Sequence, residues 1–154
     1  MKKQFMSRAI ELSIESVQKG GGPFGSVIVK DNKIISEGFN KVTSTNDPTA
    51  HGEIVTIRNS CKILNNFNLK GCDLYTSCEP CPMCLSAIYW ARIDNVYYAN
   101  TRNDAQKIDF DHSLIYEQLT KNIKERKIPM HQMMREEALK AFELWDKKID
   151  KVKY

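Results

Sequence analysis

A three-layer α/β/α sandwich built on a mixed sheet is the fold class that the sequence predicts, on three observations. An amphipathic segment opens the chain, a β-prone hairpin follows it, and helix-like and strand-like stretches then alternate. The 154 residues, 42% of them apolar, with only seven glycines and five prolines, suit one domain with a real core.

Met6, Ile10, Leu12, Ile14 and Val17 recur at loosely helical spacing until Lys19-Gly20-Gly21-Gly22-Pro23 stops them. The basic start, Met1-Lys2-Lys3, resembles the head of a signal peptide. Arg8, Glu11 and Glu15 interrupt any apolar stretch after it, so the segment reads as part of the fold. Ser26-Val27-Ile28-Val29 and Ile34-Ile35-Ser36-Glu37 are strands joined by the turn-formers Asp31-Asn32. Asp47-Pro48-Thr49 carries helix-start signals, and Ile54, Ile57, Cys61 and Leu64 mark one face of the helix, which fades at Asn65-Asn66. Cys72 to Thr76 reads as a buried strand. Cys81 to Arg92 is apolar almost all round, as in a central helix. A strand at Val96 to Ala99, a short helix at 113–119, a basic loop to Pro129 and a closing helix at 136–145 complete the pattern.

The net charge of +4 is spread along the chain, so no concentrated patch calls for nucleic acid. No apolar run approaches the roughly 20 residues a membrane crossing needs. Five cysteines, three of them between 78 and 84, fit reduced thiols partly used for metal better than a disulfide framework, and predict a cytoplasmic protein.

The chemistry is carried by His51-Gly52-Glu53 and, thirty positions after His51, Pro80-Cys81-Pro82-Met83-Cys84. Neither is informative alone. Together, one imidazole and two thiolates would leave tetrahedral zinc a fourth position for water, which marks a catalytic site rather than a closed structural one. Cys81 and Cys84 lie at a helix start, where the helix dipole favours thiolate. Glu53 would then take a proton from the water and pass protons to the substrate as base and acid. The competing reading is a structural site in which Cys78 is the fourth ligand and no water enters. Cys61 and Cys72 read as small core residues.

These motifs resemble the cytidine and nucleoside deaminase superfamily. Gly22-Pro23-Phe24-Gly25, Asn46 to His51, Tyr75 to Cys84, Ala87 to Arg92 and Tyr154 further resemble its bacterial guanine-deaminating group. The resemblance implies a cytidine deaminase-like sandwich with a mixed five-stranded sheet, spanning 1–154 as one domain, with one zinc ion per subunit. It implies hydrolytic deamination of a free nucleobase, guanine to xanthine and ammonia. It further implies that Asn40 hydrogen-bonds the base, that Phe24 and Trp90 help form its pocket, and that the protein is a homodimer. An exchanged C-terminal segment would bring Tyr154 to the partner's site. On the residues alone, Asn40 could simply end a strand, Phe24 and Trp90 could be core aromatics, and Tyr154, as the last residue, would be disordered.

Two departures bear on the substrate. Gly52 stands where the guanine group has alanine, which is expected to open space near the metal. Phe110-Asp111-His112-Ser113 stands where that group has two successive aspartates. A carboxylate accepts from both the N1 proton and the 2-amino group of guanine, whereas neutral imidazole offers one acceptor and one donor. Asp111 is the residue that would make up the loss. Cytosine or another small aminated heterocycle is therefore an alternative substrate, transfer RNA adenosine a second, and a non-catalytic zinc module a third. The transfer RNA reading is disfavoured because the chain lacks a basic C-terminal helix and the glycine-rich segment expected after the last core strand.

Overall fold

The computed structural model describes residues 2–154, which divide into two compact units, one ending at His112 and the other spanning Ser113–Tyr154. In the first unit, helix α1 (Lys2–Gln18) precedes a hairpin of β1 (Gly25–Lys30) and β2 (Lys33–Phe39). The turn residues Asp31 and Asn32 both take positive φ, 49° and 60°, the conformation that matches a two-residue turn to the strand twist. A single turn of helix, α2 (Val42–Thr45), leads to α3 (Gly52–Leu64), β3 (Cys72–Cys78), α4 (Pro82–Ala91), β4 (Asn95–Asn100) and the short α5 (Arg102–Gln106).

The sheet has the order β2-β1-β3-β4, antiparallel except for the parallel β3/β4 pair. It has four strands, not five. After Asn100, Thr101 caps α5 through a reciprocal hydrogen-bonded box with Asp104, and the chain continues helically, so among the described residues nothing adds a strand beside β4. The mixed topology of the expectation holds.

Period-two alternation divides the strands between the two faces. Val27, Val29 and Tyr75 meet Phe5, Ala9 and Leu12 of α1 on one side. On the other, Ile28, Cys72 and Leu74 pack with Ile88 and Ala91 of α4, with Ile57, Cys61 and Leu64 of α3 against them. Fully burying each such large aliphatic side chain is worth about 1.5–3 kcal/mol. Helix α1 comes so close to β1 that a Cβ at Gly25 would lie 2.5 Å from the Ala9 carbonyl oxygen, and only glycine fits.

Three local expectations change. Asp47 starts a turn rather than a helix: its Oδ1 accepts from the Thr49 backbone at 2.8 Å and hydroxyl at 2.6 Å, and α3 begins only at Gly52. Helix α4 is not buried all round, because it covers Pro82, Cys84, Ile88 and Ala91 while Leu85, Tyr89 and Trp90 are exposed. The basic stretch before Pro129 contains a 3-10 turn at Ile123–Glu125.

The second unit comprises α6 (Ser113–Thr120), that 3-10 turn and α7 (Arg135–Lys147). None of its residues is buried. No helix among the described residues is long and apolar enough to cross a membrane.

Candidate active site

Helices α3 and α4 begin in the same way, each with a candidate ligand as its N-cap in extended conformation: His51 at φ −66°, ψ 158°, and Cys81 at φ −67°, ψ 168°. Neither side chain caps its own helix, so both stay available to a ligand. Pro82 occupies the first helical position of α4, where its missing N–H costs nothing. Two positive helix ends therefore meet at the carboxyl end of β3, a setting that favours thiolate.

The ligand atoms of His51, Cys81 and Cys84 all lie within 4.8 Å of one another. His51 Nδ1 is 3.6 Å from each sulfur. Zinc–nitrogen and zinc–sulfur bonds of about 2.0 and 2.3 Å at a tetrahedral angle span an edge of about 3.5 Å, so the two nitrogen–sulfur separations suit zinc. Cys78 does not join it. Its thiol donates to the Thr101 carbonyl at 3.7 Å, and burial pushes it up to about 11, which keeps it protonated. With three protein donors gathered, the four-ligand structural reading loses its fourth member.

The charges are arranged to match. A hydrogen bond from Cys84, and then one from His51, pull the Cys81 thiol down to about 4, while the Cys84 thiol is raised by the same pairing and by burial. Its bond to Cys81 raises the imidazole of His51. Glu53, 5% exposed, sits in the first turn of α3 with its carboxyl raised by burial. One oxygen, Oε2, is 3.5 Å from Cys84 Sγ, and the other, Oε1, is 3.3 Å from the Thr76 hydroxyl. The carboxylate is thus beside the donor set, as the first-turn spacing requires.

A cleft of about 220 Å³ opens onto these groups, lined by His51, Glu53, Cys81, Asn40, Phe24 and His112 among the predicted residues. Asn40 follows the last residue of β2 and also lines the cleft, so its two readings coexist. Its Oδ1 accepts from the Val42 backbone at 3.2 Å, which leaves its amide nitrogen as the donor it can offer. Phe24 meets Phe110 edge-on, with ring centroids 4.9 Å apart. Trp90 is elsewhere, 66% exposed on α4 with Ser86, Tyr89 and Arg92. Asp111 accepts from Gln106 at 3.4 Å and does not line the cleft. Tyr154 belongs to the second unit.

The freedom at Gly52 has a different use from the one expected. A Cβ there would stand 3.0 Å from the Phe24 carbonyl oxygen, so the glycine admits the backbone of a cleft residue rather than making room at the metal. Glu79, Phe110 and Thr76 are not among the site residues that the sequence predicts. Glu79 and Phe110 line the cleft, and the signal for Thr76 was a polar residue at a buried strand position just before the cysteine motif.

A family model described as the cytidine and deoxycytidylate deaminase zinc-binding region matches residues 1–100. The chain is 52% identical to the guanine deaminase of Bacillus subtilis over 151 residues, 97% of each chain. The crystal structure of a guanine deaminase from that organism superposes with a TM-score of 0.96 at 51% identity, covering 99% of this chain and 98% of that one. A tRNA-specific adenosine deaminase of Aquifex aeolicus is 40% identical over 98 residues, 64% of this chain and 65% of that protein.

Proposed function

The chain belongs to the cytidine and deoxycytidylate deaminase zinc-binding family, and on that premise we propose that it hydrolyses the amino group of a free purine base, converting guanine and water to xanthine and ammonia. The observation that carries the substrate is the likeness to a guanine deaminase over 97% of both chains. Similarity to the Aquifex aeolicus tRNA-specific adenosine deaminase spans 64% of this chain, and the spread of its net charge of +4 offers no patch for a polyanion.

His51, Cys81 and Cys84 would hold one zinc ion per subunit, and three protein donors leave it room for a fourth ligand. The ion, when bound, supplies a Lewis acid that brings water toward ionisation near neutral pH. Glu53 takes the proton of the attacking water. It then delivers protons to the ring nitrogen and to the departing amine, so one carboxyl serves as base and acid. Its burial favours the protonated form needed for the second role. The Asn40 amide donates to an acceptor on the base, and Phe24 and Phe110 form an apolar wall.

His112 supports a second reading, deamination of cytosine or another small aminated heterocycle, because it lines the cleft where a carboxylate would suit guanine's donor edge. In the same proposal the protein is a homodimer whose segment after His112 is exchanged, with Trp90, Asp111 and the partner's Tyr154 completing the pocket in the assembly. The absence of any buried residue in the second unit supports this.

Ammonia release from a panel of guanine, adenine, cytosine and their analogues tests the substrate, with guanine expected to turn over fastest. Glu53→Gln is expected to retain zinc and lose roughly 10²- to 10⁴-fold in kcat, the usual range for removing a proton carrier. Wild-type turnover by that variant would refute the mechanism.

A further inference from the structure

Most buried hydroxyls between the sheet and α3 satisfy one another or the helix backbone. Ser26 pairs with Thr56 at 2.7 Å, Thr56 donates to the Gly52 carbonyl at 2.8 Å, and Ser36 pairs with Ser60 at 2.5 Å. Thr76 is different. It is 1% exposed, and its hydroxyl donates 3.3 Å to Glu53 Oε1.

We infer that Thr76 is a positioning residue that pins Oε1 of Glu53 to β3 and so makes Oε2 the oxygen that exchanges protons in the reaction. The inference rests on Glu53 being the proton carrier. Thr76 is a stiff anchor: it lies in register with Ser26 of β1 on one side and Tyr98 of β4 on the other, and its branched Cβ restricts χ1. The two carboxylate oxygens have unlike neighbours. Oε1 faces the strand hydroxyl, while Oε2 faces Cys84 and the gathered donor atoms. The threonine hydroxyl keeps its proton throughout and goes on holding Oε1.

Thr76→Val keeps the branched shape and deletes the donor. In the zinc-loaded protein it is expected to bind a full complement of zinc and hold KM within about twofold. Its kcat should fall roughly tenfold to hundredfold, the scale of a hydrogen bond to a charged group expressed as rate. Thr76→Ser restores the hydroxyl and should recover kcat to within about threefold of wild type, a rescue that a purely space-filling role would not predict. Should Thr76→Val fail to fold, Thr76→Ala is compared with Thr76→Ser in the same way. Wild-type kcat in the zinc-loaded valine or alanine variant overturns the inference. So does a loss of kcat that serine does not repair, or an effect confined to KM. Glu53→Gln measured alongside separates the two claims: its inactivity upholds the parent mechanism whatever Thr76 does, and its activity removes that mechanism first.

Discussion

His112 lines the cleft with Asn40 and Glu53, and its single acceptor suits a ring bearing adjacent N–H and NH₂ groups less well than a carboxylate would. His112→Asp is expected to raise kcat/KM for guanine roughly tenfold, about the value of one added charge-assisted hydrogen bond. Steady-state kinetics on guanine and cytosine check it, and a loss of guanine turnover would instead give the imidazole a part in the reaction. The candidate metal donors were legible in the sequence because imidazole and thiolate at those spacings form a chemical pattern independent of tertiary detail. Thr76, Phe110 and Glu79 were not, since their relevance comes from strand register and from where a loop after β4 returns. Gly52 stands out in the sequence, but the backbone of Phe24 that presses against it belongs to a segment 28 residues away and could not be read from its neighbours.

Among elements, α1 is tied to the edge strand β2 by Arg8, whose guanidinium grips Glu37 with Nε and Nη2 at 2.8 and 2.7 Å. That hydrogen bonding holds the Glu37 carboxyl below the usual carboxylate range. A group with a lowered folded-state pKa stabilises the fold above its unfolded value and loses the contribution as pH falls through the folded one. Denaturation of wild type and Glu37→Gln is therefore expected to differ near neutrality and to converge in acid, below the unfolded value of about 4.5. The pair is substantially exposed, so solvent screening keeps the difference under about 1 kcal/mol. A difference that grew in acid would contradict the assignment. The hairpin, α3, β3 and β4 were all legible from periodicity and turn chemistry. The single turn of α2 and the five-residue α5 were not, because so few residues show no period, and α4 was misjudged because an apolar composition does not reveal which face meets the sheet.

At the scale of the whole molecule, the first unit has interior clusters on both sides of its sheet, whereas the 42 residues 113–154 have none. Phe142 is 73% exposed and Leu144 72%, in a helix without one buried position. Phe142→Glu combined with Trp145→Glu is expected to give a monomer by light scattering, with zinc retained and rapid proteolysis after His112. An intact dimer would refute the exchanged assembly. The fifth strand implied by the resemblance does not form among the described residues, and the sequence contains no further β-prone run after Asn100. A tail with no interior of its own would, in the proposed exchange, find one on the partner subunit. In the assembly proposed here its folding becomes second order in protein, so melting temperature rises with the amount in the tube. Catalysis would then fade on dilution before any ligand is lost from the metal.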